Sequence, residues 1–480
     1  MNFSRAGYQT VVLTNSRDPE MKIPLLVSLS ASAILVHSAT TLGSGASTDH
    51  SGRWEVTTAF PGGSYVAGLN LVSEGNRYTG RGGYLVPGGI FPFKYTGVEA
   101  KDGLHLQVLA SDGKTTIGDL VLTQKGGVLS GGGKLNDVPI TVTARRPIAR
   151  AAGSPTMHTF EPTIYYSTFS GANPPALHIF PGDTVRTKTL DAYGNDENGV
   201  HRTLAGNPQT GPFYVEGAMV GDTIAVHFTK IRPNRDTAIQ YRAVLGPRAV
   251  VPATYHQEMV QDWSHVWKLD RDRGTATPEQ PSEKLKGLTI KLAPMLGCVG
   301  VAPYQFQSAN TSHLGQYGGN LDYNQIREGT TLYLPVYQAG ALLTVGDGHA
   351  VQGDGEITGQ GLEISMDVEF TVDVVRDQLL DQPWAENDEF VMVSGIGGSM
   401  SEALEFASAG LSNWLKSYYR LNSAEIATVL ANSIHYDVAE VGDPEAHVVA
   451  KIPKSVLKQL PKPEPPSTMF CQAPWGCADN

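Results

Sequence analysis

The sequence has few cysteines, few charged residues and no long apolar run. It contains three cysteines in 480 residues, 17% of its residues are charged, and its formal net charge is −11. Three cysteines exclude a disulfide framework, and an acidic chain without a basic stretch excludes a surface for nucleic-acid phosphates. The apolar segment 23–36 is too short to span a bilayer, so we expect neither a nucleic-acid partner nor a membrane partner.

The amino terminus carries a pattern typical of an export signal. Lys22 follows Met21, the apolar segment 23–36 comes next, and the small residues at 44–46 fit a cleavage site. We therefore expect residues 1–46 to be a signal-peptide region, translation to start at Met21, and the protein to be secreted or periplasmic. A buried strand or an amino-terminal helix is the alternative interpretation.

The three cysteines differ in their surroundings. Cys471 and Cys477 stand six residues apart in a Pro-rich tail, where they could pair in an oxidising compartment. Cys298 lies in an apolar segment without a neighbouring base or positive charge. We expect it to pack as a small hydrophobic residue rather than to act as a nucleophile.

Glycine and proline are abundant, which favours short strands and turns over a helical bundle. The chain has 53 Gly and 30 Pro. Alternating polar and apolar residues at 104–110, 118–124 and 140–144 predict an antiparallel meander. We therefore expect a β-rich protein with a small all-β domain at 52–146, a linker at 147–157, a larger domain at 158–460 and a Pro-rich tail at 461–480.

Two local patterns predict elements within the larger domain. The run 213–231 alternates on both sides of a Gly-Asp turn at 221–222, which predicts two strands paired around that turn. Ser399 with Glu402 matches a capping box, and the segment 422–425 repeats the pattern, so two helices are predicted near the carboxyl end.

Two glycine-rich clusters carry most of the residues that could bind a metal. GGNLD at 318–322 contains Asp322, and GDGHAVQGDGE at 346–356 contains Asp347, His349 and Glu356. Glycine accepts a positive φ, which lets the side chains of near neighbours converge on one point. One imidazole among several carboxylates suits a divalent ion such as zinc.

Three further polar residues are candidates for the same site. Asp191 ends an alternating strand, where it could reach the site or merely cap the turn that follows. Glu216 lies in the apolar run FYVEGA, where a carboxylate needs a partner or a proton, so it is either catalytic or a structural hydrogen-bonding residue. Asn320 offers both a donor and an acceptor to an amide group.

Long runs in a fixed order cover most of the chain after residue 155. They are GDTVRTKTLDAYGN at 182–195, NPQTGPFYVEGAMVGDTIAVHF at 207–228, MLGCVGVAP at 295–303, GGNLD, LYLPVYQAGALLTVGDGHAVQGDGEITG at 332–359 and the carboxyl-terminal helical region. Over about 155–460 the chain thereby resembles the acetamidase/formamidase family of metal-dependent amide hydrolases. The resemblance implies a β-sandwich or barrel-like amidase core with a small α/β carboxyl-terminal part. Tyr317 departs from it, because many relatives have a histidine directly before GGN.

The resemblance implies hydrolysis of the C–N bond of short linear amides, such as formamide and acetamide, to a carboxylate and ammonia. In this interpretation a divalent ion, Zn²⁺ in preference to Ca²⁺, polarises the carbonyl and activates a water molecule. The small amide is the expected partner. The assignments are Asp191, Asp322, Asp347 and His349 to the metal, Asn320 to the substrate, and Glu356 or Glu216 to proton transfer as general base and acid.

The alternative is a secreted β-rich ligand-binding protein without amidase activity, in which the same acids hold a metal-stabilised loop. Acids next to glycine are common in calcium-binding loops, although His349 is a poor calcium ligand. Ammonia release from a panel of short amides distinguishes the two hypotheses. In either case we expect a homo-oligomer.

Overall fold

In the computed structural model, residues 49–461 are described, apart from 87–88, 152, 259, 261–262 and 306. The export signal predicted for 1–46, the tail beyond 461 and the pair Cys471 and Cys477 lie outside the described residues. The prediction of a β-rich protein, with a small all-β part ahead of a larger core, is confirmed by the element order.

The amino-terminal part is a closed barrel of eight antiparallel strands. They are β1 (Gly52–Phe60), β2 (Gly63–Glu74), β3 (Arg77–Val86), β4 (Gly89–Ala100), β5 (Gly103–Leu109), β6 (Thr116–Lys125), β7 (Val128–Leu135) and β8 (Val138–Arg145). Each strand pairs with the next, and β8 pairs with β1. Leu104, Leu106 and Val108 of β5 alternate toward a buried core around Trp54. The three alternating segments therefore do form strands of a meander, and closure leaves it without exposed edges.

The remaining strands of the described chain are short and numerous. They are β9 (Met157–Thr159), β10 (Thr168–Ser170), β11 (Leu177–Ile179), β12 (Thr184–Lys188), β13 (Gln209–Val215), β14 (Thr223–Pro233), β15 (Thr237–Ile239), β16 (Val266–Asp270), β17 (Thr275–Pro278), β18 (Ile290–Lys291), β19 (Met295–Gly300), β20 (Ser308–Asn310), β21 (Leu314–Gly315), β22 (Gly318–Asn320), β23 (Thr331–Pro335), β24 (Leu343–His349), β25 (Met366–Val375), β26 (Trp384–Glu386), β27 (Phe390–Gly397), β28 (His435–Glu440) and β29 (Ala446–Pro453).

Two large sheets form the core of this larger part. A six-stranded sheet has the order β11-β13-β24-β19-β22-β21, and a nine-stranded sheet has the order β28-β29-β27-β26-β23-β14-β25-β12-β9. Smaller sheets have the orders β10-β20 and β15-β16-β17-β18. Apolar residues of both large sheets belong to one buried cluster, in which the rings of Phe213 and Phe370 lie 5.4 Å apart. Burial between the two sheets thus supplies the main apolar core.

The prediction that the two strands around 221–222 pair with each other is wrong. β13 belongs to the six-stranded sheet, whereas β14 pairs with β23 and β25 in the nine-stranded sheet. Gly217 and Gly221, both at positive φ, turn the chain from one layer into the other. Alternation shows that a strand is buried, but it does not identify the partner strand.

The α-helices of the described residues lie at the carboxyl end, as α1 (Met400–Tyr419), α2 (Ser423–Ser433) and α3 (Lys454–Leu457). Both predicted helix starts are confirmed. The Ser399 side chain accepts a hydrogen bond from the Glu402 amide, and Asn422 forms a complete capping box with Glu425. None of the described helices has both the length and the apolarity of a membrane span.

The barrel contacts the core through ion pairs and hydrogen bonds of β1. Arg53 Nη2 lies 2.5 Å from Asp222 Oδ2, and the Tyr214 hydroxyl lies 3.3 Å from both carboxylate oxygens of Glu55. Since Asp222 is buried, its pairing with Arg53 removes the cost of an isolated carboxylate. The barrel is therefore held at the end of β13 where Tyr214 lies.

Asp183 anchors the chain that enters the core. Burial alone would raise its pKa, but the amides of Thr156 and Phe180 and the side chains of His158 and Arg150 donate hydrogen bonds to its carboxylate. These donors lower the pKa of Asp183 to about 2, so the native contacts require the ionised form.

Candidate metal centre

Three of the metal ligands predicted from the sequence lie together. Asp347 and His349 are two residues apart on β24 and so face the same side of the sheet, and Asp322 follows β22, which β19 separates from β24. His349 Nε2 lies 3.5 Å from Asp347 Oδ1, and His349 Nδ1 lies 3.8 Å from Asp322 Oδ1. All three side chains are buried.

Glu356 joins this cluster, and so do two acids that were not among the residues predicted from the sequence. His349 Nε2 lies 3.9 Å from Glu356 Oε1 and 3.1 Å from Glu363 Oε2. Glu440, at the end of β28, forms a further close group with Asp322 and Glu356. We call these six residues the acid–histidine cluster: Asp322, Asp347, His349, Glu356, Glu363 and Glu440.

Three acids of the cluster have unusual backbone conformations. Asp322, Asp347 and Glu356 have φ values of 41°, 58° and 41°. Positive φ was expected at the glycines of this stretch, and residues with side chains adopt it as well. A left-handed conformation is costly for these residue types, and such strain concentrates at functional sites.

Gly297 of β19 leaves room for the carboxylates. A Cβ at this position would lie 2.3 Å from Asp322 Oδ1, 2.7 Å from Asp347 Oδ2 and 3.2 Å from His349 Cε1. Any side chain at 297 would therefore fill the space onto which the carboxylates converge.

Several carboxylate oxygens of the cluster have no hydrogen-bond partner. They are both oxygens of Asp322, Oδ1 of Asp347, Oε2 of Glu363 and Oε2 of Glu440. Buried polar atoms without partners are costly, and a cation would satisfy several of them at once. The residues present therefore fit a divalent ion.

The hydrogen bonds of His349 suit a metal ligand. Its Nδ1 lies 2.7 Å from Gln352 Oε1, while Gln352 Nε2 donates to the Asp322 carbonyl at 2.6 Å. Because Gln352 Oε1 can only accept, Nδ1 of His349 carries the proton that it donates, and Nε2 faces the carboxylates. A histidine ligand commonly donates its second ring N–H in this way.

The pKa values of the cluster show that burial disfavours the charged form of its carboxylates. Burial raises the pKa of Asp322 and Glu356 well above the usual range, and it raises those of Glu363 and Glu440 to about 7. Burial opposes protonation of His349, but the nearby Glu363 and Asp347 carboxylates outweigh it and raise the pKa of the imidazole. A bound divalent cation would compensate the carboxylates in place of protons.

Asp191, the fourth predicted ligand, does not contribute to the close groups of potential ligand atoms. Its carboxylate lies 2.6 Å from Arg235 Nη2 and accepts hydrogen bonds from the amides of Tyr193 and Asn195. Because these donors already satisfy its oxygens, its contacts match the alternative of a turn cap.

Glu216, the second predicted catalytic residue, is not brought to the cluster. Gln209 at the start of β13 pairs with Gly346, next to Asp347, whereas Glu216 follows the other end of that strand. Seven residues of strand correspond to about 20 Å. Glu216 Oε1 instead lies 2.7 Å from His178 Nδ1, so the contacts match the structural alternative.

Asn320 reaches the edge of the cluster rather than its centre. Its Nδ2 donates to Asp443, and its Oδ1 accepts from Asn207 Nδ2 at 2.7 Å. Burial raises the pKa of Asp443 to about 6. The amide group of Asn320 thus already has partners of both kinds, and it connects Asn207 to the acids.

Glu363 and Glu440 were not predicted as site residues, although the sequence around each of them contains a weak indication. Glu363 lies between Leu362 and Ile364, and Glu440 lies between Ala439 and Val441. An acid inside an apolar run had selected Glu216, so the same criterion could have selected these two.

Cys298 and Tyr317 make packing contacts in the structure. Cys298 is fully buried, its Sγ donates to the Thr311 carbonyl, and burial raises its thiol pKa well above the usual range. It therefore packs as expected rather than acting as a nucleophile. Tyr317, at the position of the relatives' histidine, packs its ring 5.4 Å from that of Phe169.

Comparisons of sequence identify relatives of the larger part. The model of the Acetamidase/Formamidase family matches residues 306–436. A provisionally named formamidase of Schizosaccharomyces pombe is 35% identical over 267 residues, and a formamidase of Methylophilus methylotrophus is 36% identical over 72 residues. The matches cover 43% and 15% of this chain, and the chain spans 63% and 18% of these two relatives.

Comparisons of structure point the same way. A predicted acetamidase/formamidase of Thermoanaerobacter tengcongensis superposes with a TM-score of 0.55 and 27% identity, covering 64% of this chain and 99% of that one. An acetamidase of Yersinia enterocolitica has a TM-score of 0.55 and 26% identity, with coverage of 64% and 94%. The resemblance seen in the sequence is thereby confirmed, and this part of the chain is acetamidase/formamidase-like in both sequence and fold.

Proposed function

We propose that the protein is a metal-dependent amidase that hydrolyses the C–N bond of linear amides to a carboxylate and ammonia. The relatives named as formamidases and acetamidases support the reaction class. One observation carries the metal dependence, namely the buried carboxylate oxygens of the acid–histidine cluster that have no hydrogen-bond partner, among them Asp322 Oδ1 beside Gly297.

In this proposal Asp322, Asp347 and His349, whose potential ligand atoms lie within 4.8 Å of one another, hold the ion, and Asp191 does not. Their donor set of one imidazole nitrogen and several carboxylate oxygens suits Zn²⁺ better than Ca²⁺. When bound, a divalent ion supplies a Lewis acid for the amide carbonyl and lowers the pKa of the attacking water. Gln352 orients two of the ligands, because it bonds both the His349 ring and the Asp322 carbonyl.

Glu356 and Glu440 are suited to move the protons. Each of them places a carboxylate oxygen within 4.8 Å of the other and of Asp322. Burial raises the pKa of Glu440 to about 7 and that of Glu356 well above its usual range, so the pair can accept a proton from water and donate one to the departing nitrogen. Glu356, which also lies 3.9 Å from His349 Nε2, is the residue that we place nearest the reacting atoms.

The experiment measures metal content and ammonia release on the same preparation. We expect about one equivalent or more of zinc per chain, turnover of formamide or acetamide, and loss of turnover after dialysis against a chelator. H349A and E356Q should each lower kcat at least about a hundredfold. Glu405→Gln, at an exposed position of α1, is the matched control. Wild-type rates in folded H349A and E356Q would reject the site.

The second candidate function is a binding protein with a calcium-stabilised loop, which the excess of carboxylates over imidazole favours. Calcium in the purified protein, together with no ammonia from any short amide, would establish it over the amidase.

We further propose that the protein is exported and self-associates. The amino-terminal pattern at 21–46 supports export, and sequencing the mature amino terminus tests it. Sedimentation of the mature protein tests self-association, since a monomer at micromolar concentration would contradict it.

A further inference from the structure

A chain of contacts leads from the acid–histidine cluster to the surface. Ile239 pairs with Glu363 through two backbone hydrogen bonds of 3.0 and 2.9 Å, and Glu363 Oε2 lies 3.1 Å from His349 Nε2. Tyr241 follows Ile239 by two residues, which corresponds to about 7 Å of extended chain. Tyr241 therefore follows closely on the residue that pairs with Glu363, one of the buried acids.

A second connection reaches the same tyrosine from the other side of His349. A Cβ at Gly361 would lie 2.7 Å from the His349 ring, so the backbone at 361 lies directly against the imidazole. The preceding Gln360 donates from its side-chain amide to the Tyr193 hydroxyl and accepts from the Arg242 amide at 2.7 Å. Tyr193 and Gln360 thus stand between the cluster and Tyr241.

The rings of Tyr193, Tyr241 and His265 contact one another in sequence, and we call this group the wall. The rings of Tyr193 and Tyr241 lie 4.7 Å apart at 75°, and those of Tyr241 and His265 lie 5.2 Å apart at 29°. Tyr241 is 51% exposed although it belongs to this stack, and Ile357 nearby is 45% exposed. Exposed apolar side chains that gather beside a polar site commonly mark a ligand-binding surface.

The wall is held in position by its surroundings. Arg242 Nη1 donates to the Thr358 carbonyl at 3.3 Å, and the Gly246 amide donates to the Ile357 carbonyl at 2.7 Å. Arg248 donates to the Pro444 carbonyl at 2.8 Å. The segment that carries Tyr241 is therefore tied to the loop after Glu356 and to the turn after Glu440, both of which surround the cluster.

We propose that Tyr241, supported by Tyr193 and His265, selects primary amides whose acyl group is a flat aromatic ring. This inference rests on the proposed amidase function and names its substrate class. Stacked or edge-to-face contacts with aromatic rings favour a flat aromatic group over a saturated one. A formyl or acetyl group has no ring to stack, so we expect these small amides to gain nothing from the wall.

The test measures binding and turnover separately for benzamide, cyclohexanecarboxamide and acetamide. Dissociation constants come from ligand-observed NMR titrations of the zinc-loaded full chain, and turnover comes from ammonia release. We expect the parent to bind benzamide more tightly than the two other amides. Tyr241→Ala should weaken benzamide binding about tenfold to a hundredfold and change acetamide binding less than twofold.

Two variants separate the aromatic contact from a general disturbance. Tyr241→Phe should retain benzamide binding, because the contact uses the ring. Phe406→Ala, which removes a comparably exposed ring on α1, should leave all three dissociation constants unchanged.

The outcomes distinguish this inference from the proposed function. Benzamide binding that is unaffected in Tyr241→Ala, or cyclohexanecarboxamide binding that is as tight and as sensitive, overturns the aromatic selection. Tyr241-dependent benzamide binding without ammonia release from any amide supports the wall and overturns the amidase function.

Discussion

Gly297→Ala is the substitution whose effect follows most directly from the geometry of the cluster. The added Cβ would lie 2.3 Å from Asp322 Oδ1, whereas Cβ atoms essentially never approach closer than 3.0 Å. The carboxylate must therefore retreat by at least about 0.7 Å, while metal–ligand distances tolerate only about 0.2 Å. We expect the dissociation constant for zinc to rise about a hundredfold and turnover to fall in proportion.

The same substitution is expected to leave the fold intact. Gly297 does not have a positive φ, so alanine meets no backbone strain, and overpacking of this kind costs about 1–3 kcal/mol. Zinc affinity is measured by competition with a chromophoric chelator, and folding is measured by circular dichroism and urea unfolding. Gly287→Ala, where a Cβ meets no atom within 4 Å, is the control. A folded Gly297→Ala protein with parental zinc affinity would refute the placement of the ion.

Three further substitutions test separate parts of the structure. Gln352→Leu should weaken zinc binding about tenfold to a hundredfold, since the His349 ring loses its hydrogen-bond partner, and an unchanged affinity would argue against His349 as a ligand. Asp191→Asn should lower the free energy of unfolding by about 3–5 kcal/mol, because Arg235 loses a buried partner, with the zinc content unchanged; a loss of zinc would restore Asp191 as a ligand. Asp183→Asn should cost about 2 kcal/mol above pH 4, where the ionised carboxylate with its lowered pKa stabilises the fold, and the difference from the parent should vanish as the pH falls toward 2. Urea unfolding of parent and variant between pH 5 and pH 2.5 measures it, and a difference independent of pH would contradict the assignment.

Much of the candidate site could be found from the sequence, because some of its residues are close in the chain. Asp347 and His349 alternate on one strand, so a spacing of two places them on one face wherever that strand lies. Glu356 follows within a short turn. Local spacing therefore selected part of the cluster correctly, although it could not separate a ligand from a proton carrier.

Contacts between residues far apart in the chain could not be predicted from local spacing. Glu440 lies about 90 residues after Asp347 and reaches the cluster only because β28 ends beside it. Asp191 and Glu216 were equally plausible in the sequence. In the structure Arg235 pairs with the Asp191 carboxylate, and the length of β13 separates Glu216 from the cluster. The contacts of each acid depend on which strands become neighbours, and short patterns contain no information about that choice.

The sequence by itself determined the β-rich composition, the alternating strands of the barrel, the capped starts of α1 and α2, and the convergence of Asp347 with His349. These features depend on backbone preferences and periodicities within about ten residues. Only the tertiary structure decided that β13 and β14 enter different sheets, and that Glu363, Glu440 and Gly297 complete the site. Pairing between distant strands is set by burial of the whole core, so it exists only once the chain has folded.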